Sequence, residues 1–177
     1  MAALLSKSTG VFVAPGPLAR VNSADVARIK AEAVLTPLRR CRICAHTADE
    51  DPVQEMIIAL CRDSYIPPHR HRNRSESFHI IEGRADLFFF DERGGVLQTL
   101  SLGATSPDGF YYRLSAPLYH TVLAHGDMLV IHETVTGPFC PESTEIAPFA
   151  PPAGDTEAVR RFMETLRSVR GGTKGDA

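Results

Sequence analysis

The chain lacks an excess of charge of either sign: its formal net charge is −2 over 177 residues. A nucleic-acid or anionic-membrane partner calls for a strong positive balance, so neither is expected. Long apolar runs are also missing. Stretches such as Leu87 to Phe90 fall far short of the roughly 20 residues a membrane-spanning helix needs. The opening Met-Ala-Ala-Leu-Leu has no charged segment and too short an apolar run for a secretory signal, so a cytoplasmic protein is expected. A helix-turn-helix that would point to a transcription factor is not evident. Cysteine is sparse, at positions 41, 44, 61 and 140. Cys41-Arg-Ile-Cys44 is a lone CxxC with His46 nearby but no fourth partner for zinc. A redox CxxC opens a helix after a strand, whereas this one follows Leu38-Arg-Arg, so ordinary reduced thiols are expected.

What is present is a hydrophobic content of 44%, enough for one globular domain with a substantial core. The informative segment is His69-Arg-His71-Arg-Asn-Arg-Ser-Glu76, followed by Gly83 and, much later, by Pro117-Leu-Tyr-His120. Residues i and i+2 of a strand share a face, so His69 and His71 can aim at one point. Arg72 to Ser75 leave room for a turn that returns Glu76 beside them. Gly83 fits a turn after the strand, where positive φ is cheap only for glycine. Three imidazoles and one carboxylate suit a single divalent transition ion, and iron, manganese, nickel, copper and zinc all accept that set. The expected metal ligands are therefore His69, His71, Glu76 and His120.

The spacing of these residues resembles the first motif of the cupin superfamily, H-x-H-x(3,4)-E-x6-G, although Asp63 stands where that motif opens with glycine. The second motif, G-x5-P-x-G-x2-H-x3-N, lies over Gly109 to Ala124 and matches at Gly109 and His120. Ser115, Pro117 and Ala124 replace its proline, glycine and asparagine. Asp51 to Gln54, Pro68 to Arg72, Glu76 to His79, Leu118 to Thr121, Gly137 to Phe139 and Ala147 to Pro151 resemble the WbuC family of cupin-fold metalloproteins, over residues 36 to 152. That resemblance implies a mainly β, jelly-roll β-barrel with a metal site. It also implies a context in cell-surface polysaccharide metabolism, without specifying a reaction.

The chain is expected to divide into an N-terminal extension with a helix (1–38), the cupin barrel (39–152), and a C-terminal helix with a disordered tail (153–177). Gly10 to Ala14 reads as a short strand on a sheet edge. Asn22 or Ser23 can cap a helix with Val26, Ile29 and Ala33 inward, which Pro37 stops. Residues 53 to 61 fit a helical stripe or a buried strand, with strand favoured in the second half. From 76 onward glycine turns separate short strands: 76–82 and 85–91 joined at Gly83-Arg84, then 96–102, 110–114, 119–124 and 127–136, the last two joined at His125-Gly126. Pro138 to Pro152 reads as a strap anchored by Phe139, Ile146 and Phe149. A final helix to about Val169 carries Val159, Phe162, Met163 and Leu166 on one face.

Strand parity bears on the other polar residues. With Glu76 inward, Phe78 and Ile80 follow and His79 points away. With His120 inward, Val122 and Ala124 follow. His125 is expected exposed in its turn. One of His132 and Glu133 must face inward, and one parity class of Tyr111, Tyr112 and Arg113 lines the cavity. The basic run Arg70, Arg72, Arg74 reads as a solvated loop or as a contact for an anionic group. Three histidines and a glutamate leave coordination positions open, which is the catalytic arrangement. A metal-dependent enzyme of oxygenase, isomerase or hydrolase type acting on a small polar molecule is expected. The alternative is a non-catalytic small-molecule sensor. A homodimer paired through sheet edges is expected.

Overall fold

The computed structural model describes residues 4–172. The tail expected to be disordered and the first three residues lie outside that range. The elements are β1 (Leu5–Ser8), β2 (Val11–Val13), α1 (Ser23–Leu35), β3 (Arg40–Cys44), β4 (Val53–Cys61), β5 (His69–His71), β6 (Glu76–Phe90), β7 (Val96–Gly103), β8 (Tyr111–Leu114), β9 (Tyr119–Thr136), β10 (Thr144–Ile146) and α2 (Thr156–Gly172). Helix α1 begins where Asn22 accepts from the backbone of Ala24 and Asp25, with Asp25 bonding back to Asn22 N–H.

Two expected hairpins are absent. Residues 76–90 form one strand, and so do residues 119–136. Gly83 (φ 85°) and Gly126 (φ 70°) bend these strands instead of turning the chain back. The register between them shifts between Ile80 and Arg84, the signature of a bulge. At Gly83 a Cβ would stand 2.7 Å from the Met128 carbonyl oxygen, so close backbone approach demands glycine there.

The bends let β6 and β9 serve two layers. Residues 84–90 of β6 pair with β7, residues 119–125 of β9 pair with them, and β5 and β10 continue that layer. Residues 76–80 of β6 pair with β8, residues 131–135 of β9 pair with them, and β4, β3, β2 and β1 continue the second layer. The expected barrel is corrected in one respect: the sheet curls over its core without closing.

Three apolar clusters follow from strand alternation. Ile58, Phe78, Ile80, Leu87, Leu129 and Ile131 fill the space between layers. Ile29 and Ala33 of α1 cover Cys41, Ile43 and Val130 on the outside of the second layer. Met163 and Leu166 of α2 cover Phe88, Phe90 and Leu123 on the outside of the first. Each fully buried aliphatic or aromatic side chain contributes roughly 1.5–3 kcal/mol. The N-terminal segment is thus a sheet edge of its own chain, with β2 parallel to β3.

The strap is held differently from expectation. Phe139 and Ile146 are about half exposed, and only Phe149 packs inward, with Ala147 beside it. The main fastening is polar. Glu145 accepts from Arg70 (2.9 Å), Arg72 (2.7 Å) and the Tyr119 hydroxyl (2.7 Å). Arg70 also reaches Glu92. Arg70 and Arg72 are therefore paired with acidic side chains rather than free in a loop, and Arg72 remains exposed to solvent.

Candidate metal centre

His69 and His120 are register partners on β5 and β9, and His71 follows two residues after His69. Glu76 begins β6, in the opposite layer. One ligand atom from each of the four lies within 4.8 Å of the others. The His120 Nε2 to Glu76 Oε1 distance is 2.9 Å, and His71 Nε2 to Glu76 Oε2 is 3.2 Å.

The outer nitrogens explain why these rings present Nε2. His69 Nδ1 lies 2.9 Å from the Pro67 carbonyl and His120 Nδ1 lies 2.9 Å from the Leu118 carbonyl. A carbonyl only accepts, so both Nδ1 atoms carry the proton and, in the neutral rings, both Nε2 atoms carry a lone pair. His71 Nδ1 meets Thr144 Oγ1 at 3.1 Å. Such outer contacts fix ring orientation for metal binding. His69 is pushed down to about 4, first by burial and then by His120, so its neutral ligand form prevails at neutral pH.

The structure also tests whether a cation fits. Among the described residues, the buried polar atoms with no hydrogen-bond partner are Glu76 Oε2 and His120 Nε2. They belong to a carboxylate and an imidazole in close contact, with acceptor electron pairs converging. A cation between them satisfies both, and nitrogen with oxygen donors in this proportion suits a transition ion. Burial works against ionisation of Glu76, but contacts from His120, His71 and Tyr112 outweigh it and hold the carboxyl far below its usual range.

Tyr112 is buried, and its hydroxyl donates to Glu76 Oε1. Tyr111 is half exposed, and Arg113 turns outward to Ser75 Oγ at 3.3 Å. Glu133 faces the cavity, whereas His132 faces the other way, 3.5 Å from Glu55. Burial and then the charge of Glu76 raise the Glu133 carboxyl to about 7. His79 is exposed. His125 is not simply exposed: its Nε2 meets the buried Asp86 at 2.7 Å, and Asp86 also accepts from Ser101. Cys41, Cys44 and Cys61 are buried free thiols, and burial raises all three pKa values.

The cluster opens on a cavity with two lobes. One, of about 270 Å³, is lined by Arg40, Ile58, Phe78, His69, His120 and Glu133 among others. The other, of about 410 Å³, includes Arg42, Arg74, His69, His71 and Glu133. Sequence reasoning missed Arg40 and Arg42. Their alternation with Cys41 and Ile43 was legible, but which face of β3 points to the cavity depends on α1 covering the apolar one.

No curated protein matches the chain. Residues 21–102, under half of it, match a family model described as "Domain of unknown function (DUF6016)". Among solved structures, an L-ribose isomerase of Cellulomonas parahominis with L-ribose aligns with TM-score 0.50 and 12% identity, over 65% of this chain and 72% of that one. An oxalate oxidase aligns at 0.48 and 14%, covering 78% and 76%. The cupin domain of Schizosaccharomyces pombe Cnp3 aligns at 0.43 and 10%, covering 55% and 64%, so this chain spans just under two thirds of that domain. With the two-layer topology and the histidine spacing, the chain is a cupin-fold protein.

Proposed function

We propose that the chain is a metal-dependent enzyme that holds one divalent transition ion through His69, His71, Glu76 and His120 and acts on a small polar molecule. The observation that carries this reading is the pair of buried, partnerless acceptor atoms at the centre of an oriented imidazole cluster beside a cavity. When bound, the ion supplies Lewis acidity or an open position for substrate or O₂, the chemistry of an oxygenase, isomerase or hydrolase. The protein's own groups do the rest. The backbone carbonyls of Pro67 and Leu118 keep the imidazoles aimed. The Tyr112 hydroxyl orients Glu76 by donating to Oε1. Phe78, Ile58 and Ile131 form an apolar wall that limits water. Glu133, raised to about 7, can take or give a proton at its carboxyl oxygen near neutral pH.

The likeness to WbuC-type cupins supports a place in polysaccharide or secondary metabolism. The free thiols support a cytoplasmic setting. The exposed edge strand β1 offers a surface for a homodimer. No helix among the described residues is long and apolar enough to cross a membrane.

The test is metal content by mass spectrometry on protein purified anaerobically without chelator or nickel resin. Near one ion per chain is expected in wild type and in His132→Ala, with loss in His120→Ala. No metal in wild type, or full retention in His120→Ala, overturns the reading. A ligand that raises the melting temperature but is always recovered unchanged would favour a non-catalytic binding module.

A further inference from the structure

Strand β3 places two arginines where the fold otherwise places hydrocarbon. Arg40 is in register with Leu60, which is in register with Leu129. Arg42 is in register with Ile58, which is in register with Ile131. Those four aliphatic side chains are inward-facing core residues. Arg40 and Arg42 share their face and line the smaller lobe opposite His69 and His120. Cys41 and Ile43, between and beyond them, face α1.

The Arg40 guanidinium, half-buried in that wall, is costly unless something answers its charge, whereas Arg42 reaches the exposed rim of the lobe. Among the described residues, no carboxylate oxygen lies within 4.0 Å of either group, whereas the neighbouring Arg39, just before β3, is matched by Asp63 at 3.0 Å. The hydrogen bond made by the Arg40 guanidinium is to the Tyr65 carbonyl at 3.4 Å. Arg74, on the second lobe, is likewise held by neutral oxygens, the Thr136 carbonyl and Ser143 Oγ. Lys7 in that lobe is cancelled by Asp49. Three guanidinium groups thus face Glu76 and Glu133, before the charge of any ion is counted. The planar donor fork of arginine matches a carboxylate or phosphate, and two forks on alternate residues can grip one such group.

We propose that Arg40 and Arg42 form the anion-recognition subsite of this cavity. The substrate is then a small molecule carrying a carboxylate or phosphate, with that group on β3 and its reacting end toward the histidine cluster. A lobe of about 270 Å³ accommodates a small acid or phosphoester. The proposal deepens the metal-centre reading and rests on it for the position of the reacting end.

The test titrates succinate and inorganic phosphate, separately, into chelator-treated and metal-loaded protein by calorimetry, with sodium chloride at matched ionic strength as reference. Wild type is compared with Arg42→Met, Arg40→Met and the surface control Arg93→Met, with circular dichroism to confirm folding and mass spectrometry for metal. Saturable binding of at least one anion is expected, weakened about tenfold to a hundredfold in Arg42→Met and Arg40→Met and unchanged in Arg93→Met, at constant metal content. Because Arg42 is exposed, its variant keeps the test decisive if Arg40→Met fails to fold. Preference for succinate marks an organic acid, and preference for phosphate marks a phosphoester. Equal affinity in wild type and Arg42→Met, or no binding to wild type, overturns the subsite; if wild type still holds its ion, the metal reading stands alone. Arginine-dependent binding in a protein that never holds metal supports the subsite and removes the metal reading.

Discussion

Tyr112→Phe removes one oxygen from the centre of the molecule and leaves the ring. The ring packs edge-on against Phe78 (centroids 5.1 Å apart) and Phe89 (6.0 Å), so packing is retained. What is lost is the hydroxyl bond to Glu76 Oε1. Burial, and then the charge of Glu76, push the phenol well above its ordinary value, so it remains a donor at any working pH. A hydrogen bond to a buried charged acceptor contributes about 1.5–3 kcal/mol. For a chain of this size that corresponds to a fall of roughly 4–8 °C in the melting temperature of the metal-free protein. Glu76 also loses the contact that fixes its rotamer, so metal affinity should fall about tenfold to a hundredfold. Competition against a chromophoric chelator reads the affinity, and a thermal melt reads the stability. Wild-type affinity in a variant that melts several degrees lower would show that Tyr112 only supports the core. Wild-type values of both would refute the reasoning about Glu76.

Glu145 is held down at about 2 by Arg70 first, then by Tyr119 and Arg72, so its bonds stabilise the strap above the ordinary carboxylate range and are lost as pH falls from there through about 2. Hydrogen exchange of Thr144–Ile146 should lose protection across that window, and Glu145→Gln should show weak protection at every pH; a flat profile in wild type would contradict this. Gly83→Ala forces a side chain into positive φ and against the Met128 carbonyl, with an expected cost of about 2–4 kcal/mol. A melting temperature equal to that of wild type would show that the bend at Gly83 does not require glycine.

The ligand set was legible because strand parity and a short gap are local properties: His69, His71 and Glu76 need only one strand and one turn to meet. His120 was legible from the second motif's spacing. The helices were legible for the same reason, since Asn22 and the Ile29, Ala33 stripe act within one element. What escaped the sequence was long-range. A glycine such as Gly83 or Gly126 supplies positive φ to a turn or to a bulge alike, and only the partner strand decides between them. The strap's anchor escaped because Glu145 finds Arg70 and Arg72 across more than seventy residues, while Phe139 and Ile146 looked like better anchors. Arg40 and Arg42 escaped because alternation identifies two faces of a strand without saying which one a helix will cover.

The pairing of β6 with β9 sets a distance that the chain must then overcome. Glu76 is opposite Val135 at one end of this ladder, and His120 is opposite Phe89 at the other. Laid straight, thirteen residues of strand would separate those ends by about 40 Å. Yet the two side chains touch, at 2.9 Å. The ribbon is therefore bowed until its tips meet, like a drawn hoop, and its curvature is concentrated at the two glycines. An ion held between the tips would act as the clasp of that hoop. Its affinity would then report how far the whole ribbon is allowed to spring open, and a substitution at Gly83, remote from the histidines along the chain, would be felt at the metal.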